Sequence, residues 1–211
     1  MAHITSHSAW PAFVAMTLFT LRLSATSPAA AAEEAKPLPL PPGVTACNFD
    51  ALANDRTREG LNIRAEPRAD SAILGRLPVL ENRYREKVAA ELDVIGVKNG
   101  WFLIEGAVYP DNDFPNRPSA YGRRGWVPGR LLTTGLQGSA LKAAPDDAAA
   151  DVPDPSPSEW VAAILDCKGV WFRIEEPISK DLKPPSGGPV RGWSRHSCTS
   201  QRATCDWGGA G

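Results

Sequence analysis

The sequence predicts a mainly β protein made of two small β-barrels in tandem. Residues 60–67 (GLNIRAEP) alternate apolar and polar side chains, with Leu61 and Ile63 on one face, which is the period of a half-buried strand. Residues 99–106 (NGWFLIEG) and 122–128 (GRRGWVP) are short, aromatic-rich stretches bounded by Gly and Pro. The 211 residues include 20 Pro and 18 Gly, which favours many turns over long helices.

The stretch over residues 81–92 (ENRYREKVAAEL) interrupts these strands. Its apolar residues Tyr84, Val88 and Leu92 are four positions apart, which is helical spacing. The pattern leaves two readings open, a short surface helix or an ordered loop. Strands are expected again over residues 92–97, before the Asn-Gly turn signal.

The order of these pieces resembles the bacterial SH3 (SH3b) family. The resemblance rests on Leu61-Asn62-Ile63-Arg64, Pro67, Ile73-Leu74-Gly75, Gly100-Trp101 and Gly125-Trp126-Val127. It implies an SH3-like β-barrel over residues 45–137. It also implies binding to cell-wall peptidoglycan or peptide, because relatives of this domain commonly attach to the wall.

A second set of similar pieces follows and predicts a duplicated module. Residues 141–146 echo residues 63–68, residues 164–174 echo residues 95–104, and residues 190–193 echo residues 124–126. Trp101 and Trp126 are 25 positions apart, and Trp171 and Trp193 are 22 apart. We therefore expect a second, more weakly matching SH3b-like domain over residues 138–211, with a Cys-rich tail.

The predicted core of the two barrels is apolar and aromatic, because barrels this small need large side chains inside. It comprises Leu61, Ile63, Trp101, Trp126, Trp171 and Trp193.

The N-terminus has the pattern of an export signal. An apolar run over residues 12–23 is followed by small residues, and Ala30-Ala31-Ala32 suits a signal peptidase. The run is short for a membrane span. We expect a cleaved signal over residues 1–32, with a membrane anchor or a misassigned start codon as alternatives. The mature protein would be periplasmic or secreted, without stable membrane insertion, and residues 33–44 would form a stiff Pro-rich linker.

All four cysteines follow the signal: Cys47, Cys167, Cys198 and Cys205. An even number in an exported chain favours two disulfides. Cys198 with Cys205 would close a tail loop and leave Cys47 to bond Cys167, but two other connectivities stay open. The alternative is a zinc site formed by Cys167, His196, Cys198 and Cys205, whose spacing matches no familiar zinc pattern.

The sequence offers little for catalysis. Only His196 remains after signal removal, and it lies in the Cys-rich tail without a nucleophile elbow. The acidic pairs Asp111/Asp113 and Asp146/Asp147 have a turn setting. No phosphate or dinucleotide motif is present, so no cofactor and no metal are expected. A net charge of -1 gives no attraction to nucleic acid.

We therefore expect a non-catalytic exported binding module for peptidoglycan or an envelope peptide. Its candidate ligand residues lie in the long loop over residues 107–121: Tyr109, Phe114 and Tyr121. Their aromatic rings could stack on sugars or pack on peptides. The alternatives are an adaptor that docks another envelope protein and, less favoured, a cell-wall hydrolase that depends on His196.

Overall fold

The chain is mainly β, as the sequence predicts. A computed structural model describes residues 38–81, 84–85, 87–109, 121–136, 140–153, 161, 163–176 and 189–199. Within these ranges the regular structure is strands and one 3-10 turn, Gly129–Leu131, without an α-helix. The predicted signal, residues 1–32, and the predicted domain boundary at residues 137–138 lie outside the described ranges. The described residues from Pro39 onward group into one compact unit.

Fourteen strands follow one another within the described ranges. They are β1 Thr45–Ala53, β2 Leu61–Arg64, β3 Ile73–Leu77, β4 Leu80–Glu81, β5 Lys87–Val88, β6 Glu91–Lys98, β7 Trp101–Val108, β8 Gly125–Pro128, β9 Leu132–Thr133, β10 Gly135–Leu136, β11 Ala163–Lys168, β12 Trp171–Glu175, β13 Arg191–Ser194 and β14 Ser197–Cys198.

These strands form four antiparallel sheets. The largest has the order β3-β2-β8-β7-β6-β1-β9, and a three-stranded sheet has the order β11-β12-β13. The strands β10 and β14 form a pair, as do β4 and β5. No closed barrel is found among the strands of the described ranges.

The stretch over residues 81–92 is not a helix, and that reading of its spacing was wrong. Glu81 pairs with Lys87 and Leu80 pairs with Val88 in the β4–β5 hairpin. The apolar residues Val88 and Leu92 are buried, whereas Tyr84 is exposed. The spacing of four residues arose by coincidence, because Val88 and Leu92 are buried strand residues and Tyr84 is an exposed turn residue.

The hairpins β6–β7 and β11–β12 have the same register. Lys98 pairs with Trp101 across the first turn, and Lys168 pairs with Trp171 across the second. Each hairpin also carries a bulge at the same place. One extra residue, Ile95 in the first hairpin and Leu165 in the second, is skipped directly after the third residue pair from the turn. A bulge bends a strand, so both hairpins turn their ends the same way.

A proline turn precedes each of these two hairpins in the chain and has the same hydrogen bonds in both places. The Ala65 amide donates to the Ala72 carbonyl at 2.9 Å, and the Ala143 amide donates to the Ala150 carbonyl at 2.9 Å. Arg64 then pairs with Trp126 on β8, and Lys142 pairs with Trp193 on β13. The sequence echo between the two turns thus corresponds to one local geometry.

A single apolar core joins the two hairpins. Phe49 on β1 stacks on Phe172 with ring centroids 5.0 Å apart and meets Phe102 edge-on at 6.1 Å. Phe102 and Phe172 occupy the same register position in their hairpins. The Phe49 ring of β1 therefore lies between Phe102 and Phe172. Stacked and edge-on ring contacts of this kind stabilise a core beyond the burial of apolar area.

A disulfide strengthens this junction. Cys47 on β1 is bonded to Cys167 on β11, with their Cα atoms 5.8 Å apart, inside the usual range. The Asn48 amide donates to the Gly169 carbonyl at 2.8 Å, and the Gly169 amide donates to the Ala46 carbonyl at 2.8 Å. The bond is one of the pairings that the cysteine count allowed. Cys198 is also disulfide-bonded, and Cys205 lies outside the described residues.

Candidate functional site

The predicted ligand trio is not an exposed aromatic cluster. Tyr109 is buried, and its hydroxyl donates to the Pro78 carbonyl at 2.6 Å. Burial raises the pKa of Tyr109 to about 12, because the charged phenolate would lose its water. A ring held in this way packs against the protein, so its assignment to a ligand surface does not fit the structure. Phe114 lies outside the described residues.

Tyr121 is half-buried and packs close to two glycines. A Cβ atom on Gly75 would lie 3.0 Å from the Tyr121 ring, and one on Gly125 would lie 3.0 Å from the Tyr121 hydroxyl. That hydroxyl donates to the Arg124 carbonyl at 3.2 Å, and burial raises its pKa. One ring face meets the guanidinium of Arg123 at 5.6 Å. Little of Tyr121 is left for a ligand.

The residues predicted as core fall into three groups. Leu61 and Ile63 are fully buried in the central core. Trp126 is buried but lies outside that core cluster, on the opposite face of its sheet. The other three tryptophans, Trp101, Trp171 and Trp193, are half-buried. The outer faces of the two larger sheets, where these tryptophans lie, therefore carry the candidate site.

A row of directly paired residues crosses each of these outer faces. In the large sheet the row is Gly96, Leu103, Trp126, Arg64 and Ile73, which we call the first outer row. Around the small sheet it is Asp166, Arg173, Trp193, Lys142 and Asp151, which we call the second outer row. Directly opposed residues of antiparallel strands share a face, so each row forms one continuous strip.

The two rows have the same geometry and opposite chemistry. Leu103 of the first row corresponds to Arg173 of the second, and Gly96 corresponds to Asp166. Leu103 is 2% exposed, whereas Arg173 and Asp166 are exposed. Trp is retained at the centre of both rows. The first outer row is mainly apolar, whereas the second has a cation on each side of its tryptophan and a carboxylate beyond each cation.

The Pro-rich residues 39–44 cover part of the first outer row. A Cβ atom on Gly96 would lie 2.5 Å from a Val44 methyl and 3.7 Å from a Leu40 methyl. A turn follows, with the Val44 amide donating to the Pro41 carbonyl at 3.3 Å and Gly43 at a φ of 75°. The part of the predicted linker that the structure describes is therefore docked on the sheet.

The second outer face presents two tryptophans and two arginines in alternation. Arg173 pairs with Trp193, and the guanidinium of Arg195 lies 5.4 Å from the centre of the Trp171 ring. The two tryptophans are thus diagonal neighbours, and so are the two arginines. We call these four residues the Trp/Arg patch. Cations over indole rings are favourable contacts that hold the rings in place.

Ion pairs surround the patch. Lys142 binds Asp151 at 2.7 Å, Arg195 binds Asp147 at 2.7 Å, and Arg191 binds Glu175 at 2.6 Å. Within the part of the chain that the structure describes, the Arg173 guanidinium has neither an ion pair nor a hydrogen bond. Arg173 is exposed, and its guanidinium carries five N–H donors in a planar fork suited to a carboxylate.

The patch therefore offers two kinds of contact at once. Indole rings stack on the apolar faces of sugars or pack on peptide side chains. Guanidinium groups bind carboxylates through paired charge-assisted hydrogen bonds. The arrangement suits a ligand that carries apolar faces and carboxylates close together, and it presents no nucleophile beside a base.

Metal chemistry finds no support in the part of the chain that the structure describes. No group of three or more His, Cys, Asp or Glu side chains is placed to hold a metal ion there. Cys167 and Cys198 of the alternative zinc set are disulfide-bonded, so neither supplies a thiolate. His196 is exposed beyond the end of β13. No helix long and apolar enough to cross a membrane occurs among the described residues.

Comparison with known proteins gives no match to a protein-family model, a curated protein or a solved structure. The site thus rests on its own geometry. The Trp/Arg patch was missed because Trp171 and Trp193 were assigned to the core. Aligning the two hairpins could have found it, since Trp101-Phe102-Leu103 becomes Trp171-Phe172-Arg173 in the second.

Proposed function

We propose that this is an exported, non-catalytic binding protein made of two tandem SH3b-like copies, the second of which binds cell-wall peptidoglycan. The shared register, bulge and proline turn of the two hairpins support the duplication. The Cys47–Cys167 disulfide is consistent with an oxidising compartment. The sequence resemblance supplies the link to the wall.

The Trp/Arg patch is the observation that carries the proposed ligand. Peptidoglycan combines sugar rings with peptide stems that bear carboxylates, which are the two chemistries that indole and guanidinium groups bind. The matching strip of the first copy lacks this character, because Leu103 replaces Arg173 and Pro128 opposes Trp101. We therefore assign wall binding to the second copy alone.

Co-sedimentation of the mature protein with purified sacculi tests the assignment. Replacing Arg173→Leu and Arg195→Gln should weaken retention about tenfold, as expected for the loss of central Arg contacts. The matched control is Arg56→Gln with Arg58→Gln, which removes the same charge from the loop before β2. Control-like retention by the patch variant would refute the patch. No retention of the wild-type protein at low salt would refute wall binding.

A second candidate is an adaptor that docks an envelope protein through a sheet edge. The strand β3 is the edge of the large sheet, and it exposes 44% of Ile73 and 38% of Leu74. An edge strand with apolar side chains can pair with an extended segment of a partner. Crosslinking in the envelope would then yield a partner protein that Leu74→Lys removes, while sacculus retention stays at the wild-type level.

A further inference from the structure

The contact between residues 39–44 and the large sheet has the features of a bound peptide. Two cationic side chains of the sheet hold carbonyl groups of the segment. Arg124 donates to the Pro39 carbonyl at 2.9 Å, and Lys98 donates to the Pro42 carbonyl at 3.2 Å. Lys98 ends β6 and Arg124 precedes β8, on either side of β7. The segment therefore crosses the outer face of β7.

Apolar contact accompanies these hydrogen bonds. Leu40 and Val44 are the half-buried residues of the segment, and both point at the bare backbone of Gly96. Gly96 pairs directly with Leu103, which is 2% exposed although it lies outside the central core. The first outer row is thus an apolar strip that would face water without a cover, and such strips mark interaction sites.

The polar contacts also define which peptides fit. Proline has no N–H group to donate, so a segment rich in proline offers only carbonyl oxygens along its backbone. The sheet provides donors, Arg124 and Lys98, and a glycine that leaves room for a leucine. The Arg124 guanidinium is kept in place by Glu105 at 2.9 Å. The corresponding pair in the small sheet is Arg191 with Glu175.

We propose that the outer face over Gly96, Leu103 and Arg124 is a binding site for extended Leu-Pro peptides, and that residues 39–44 are its occupant in cis. The inference is independent of wall binding, which we assign to the Trp/Arg patch of the small sheet. A tethered segment acts at an effective concentration of about millimolar, so an external peptide must compete with it. Weakening the segment should therefore open the site.

The test uses the full mature chain, labelled with ¹⁵N, and a synthetic peptide with the sequence of residues 36–44, KPLPLPPGV. The variant Leu40→Asp should bind the peptide saturably, with amide shifts at Gly96, Leu103 and the Trp126 indole. The wild-type protein should bind it at least about tenfold more weakly, because its own segment competes. A peptide with aspartate at the position of Leu40 is the matched control and should not bind.

Two results would overturn the proposal. One is the absence of saturable shifts in a Leu40→Asp protein whose other amide signals match those of the wild type. The other is equal binding of the aspartate peptide, which would mean non-specific contact. The milder variant Leu40→Ala repeats the titration if the aspartate disturbs the fold, with the same expected order of affinities. Sacculus retention, measured in parallel, should not change in either variant.

Discussion

The two outer rows are built on one backbone pattern and differ in what covers them. Gly96 of the first row lies against Leu40 and Val44, and its pair partner Leu103 is buried, whereas Arg173 and Asp166 of the second row are exposed. The bulge, the register and the central tryptophan are the same in both. Comparing the two rows therefore separates the features that the fold requires, which both rows share, from the surface residues, which differ.

The inner faces of the two hairpins have the same chemistry. Phe102 and Ile104 face the core from β7, and Phe172 and Ile174 face it from β12. Inner positions are constrained by close packing, where a change of one methylene group alters stability. Outer positions have no such constraint unless something covers them, so they can take up a binding role.

Cutting the covalent link between the two sheets should have the largest effect. Replacing Cys47→Ala and Cys167→Ala opens a bond that spans 120 residues, which should lower the free energy of unfolding by about 3–5 kcal/mol. Urea unfolding measures the loss against the oxidised wild-type protein. A change below about 1 kcal/mol would mean that Phe49 packing alone holds the sheets together.

Exchanging the two row residues tests the comparison directly. Leu103→Arg places a charge at a buried position of the first outer row and should cost about 3 kcal/mol, because the charge loses water without a partner. Arg173→Leu is made on an exposed position and should change stability by less than about 0.5 kcal/mol. Thermal unfolding of both variants measures the contrast. Equal costs would show that the two faces are equally covered.

The buried hydroxyl of Tyr109 should make the protein alkali-sensitive. Its pKa is about 12 in the folded chain and about 10 when unfolded, so the neutral form is favoured by folding. The stabilisation is complete below pH 10 and is lost as the pH rises to 12, by up to about 2 kcal/mol. Urea unfolding from pH 9 to 12 should show this decline. Tyr109→Phe should remove it and cost about 1 kcal/mol at neutral pH.

The smallest expected difference separates the two corresponding ion pairs. Arg191→Ala breaks an exposed pair with Glu175 and should cost less than about 0.5 kcal/mol. Arg124→Ala breaks the pair with Glu105 and also loses the hydrogen bond to Pro39, so about 1 kcal/mol is expected. Chemical denaturation gives both values. The two costs would be equal if residues 39–44 did not depend on Arg124.

The sequence predicted the strands well where local chemistry decides them. Alternation placed Leu61 and Ile63 in the core, and the Asn99-Gly100 signal gave a tight turn with both residues at positive φ. The mainly β class is confirmed, and a pairing among those that the cysteines allowed joins Cys47 to Cys167. The barrels, the duplication and wall binding stay predictions.

The surface could not be predicted in the same way, because exposure depends on residues far apart in the chain. Trp126 and Trp193 occupy the same motif, yet one is 5% exposed and the other is half-buried. Tyr109 lies in a loop that suggested binding, but its hydroxyl bonds to Pro78, 31 residues earlier. The local sequence around Tyr109 does not indicate a partner so far away in the chain.

Gly129 lies where the β11–β12 hairpin packs closely against the large sheet. A side-chain carbon there would collide with the Ile164 carbonyl and the Phe102 ring, which come from different hairpins. The missing methyl group is what lets the two backbones touch. Gly129→Ala is therefore the smallest substitution expected to separate the β11–β12 hairpin from the large sheet.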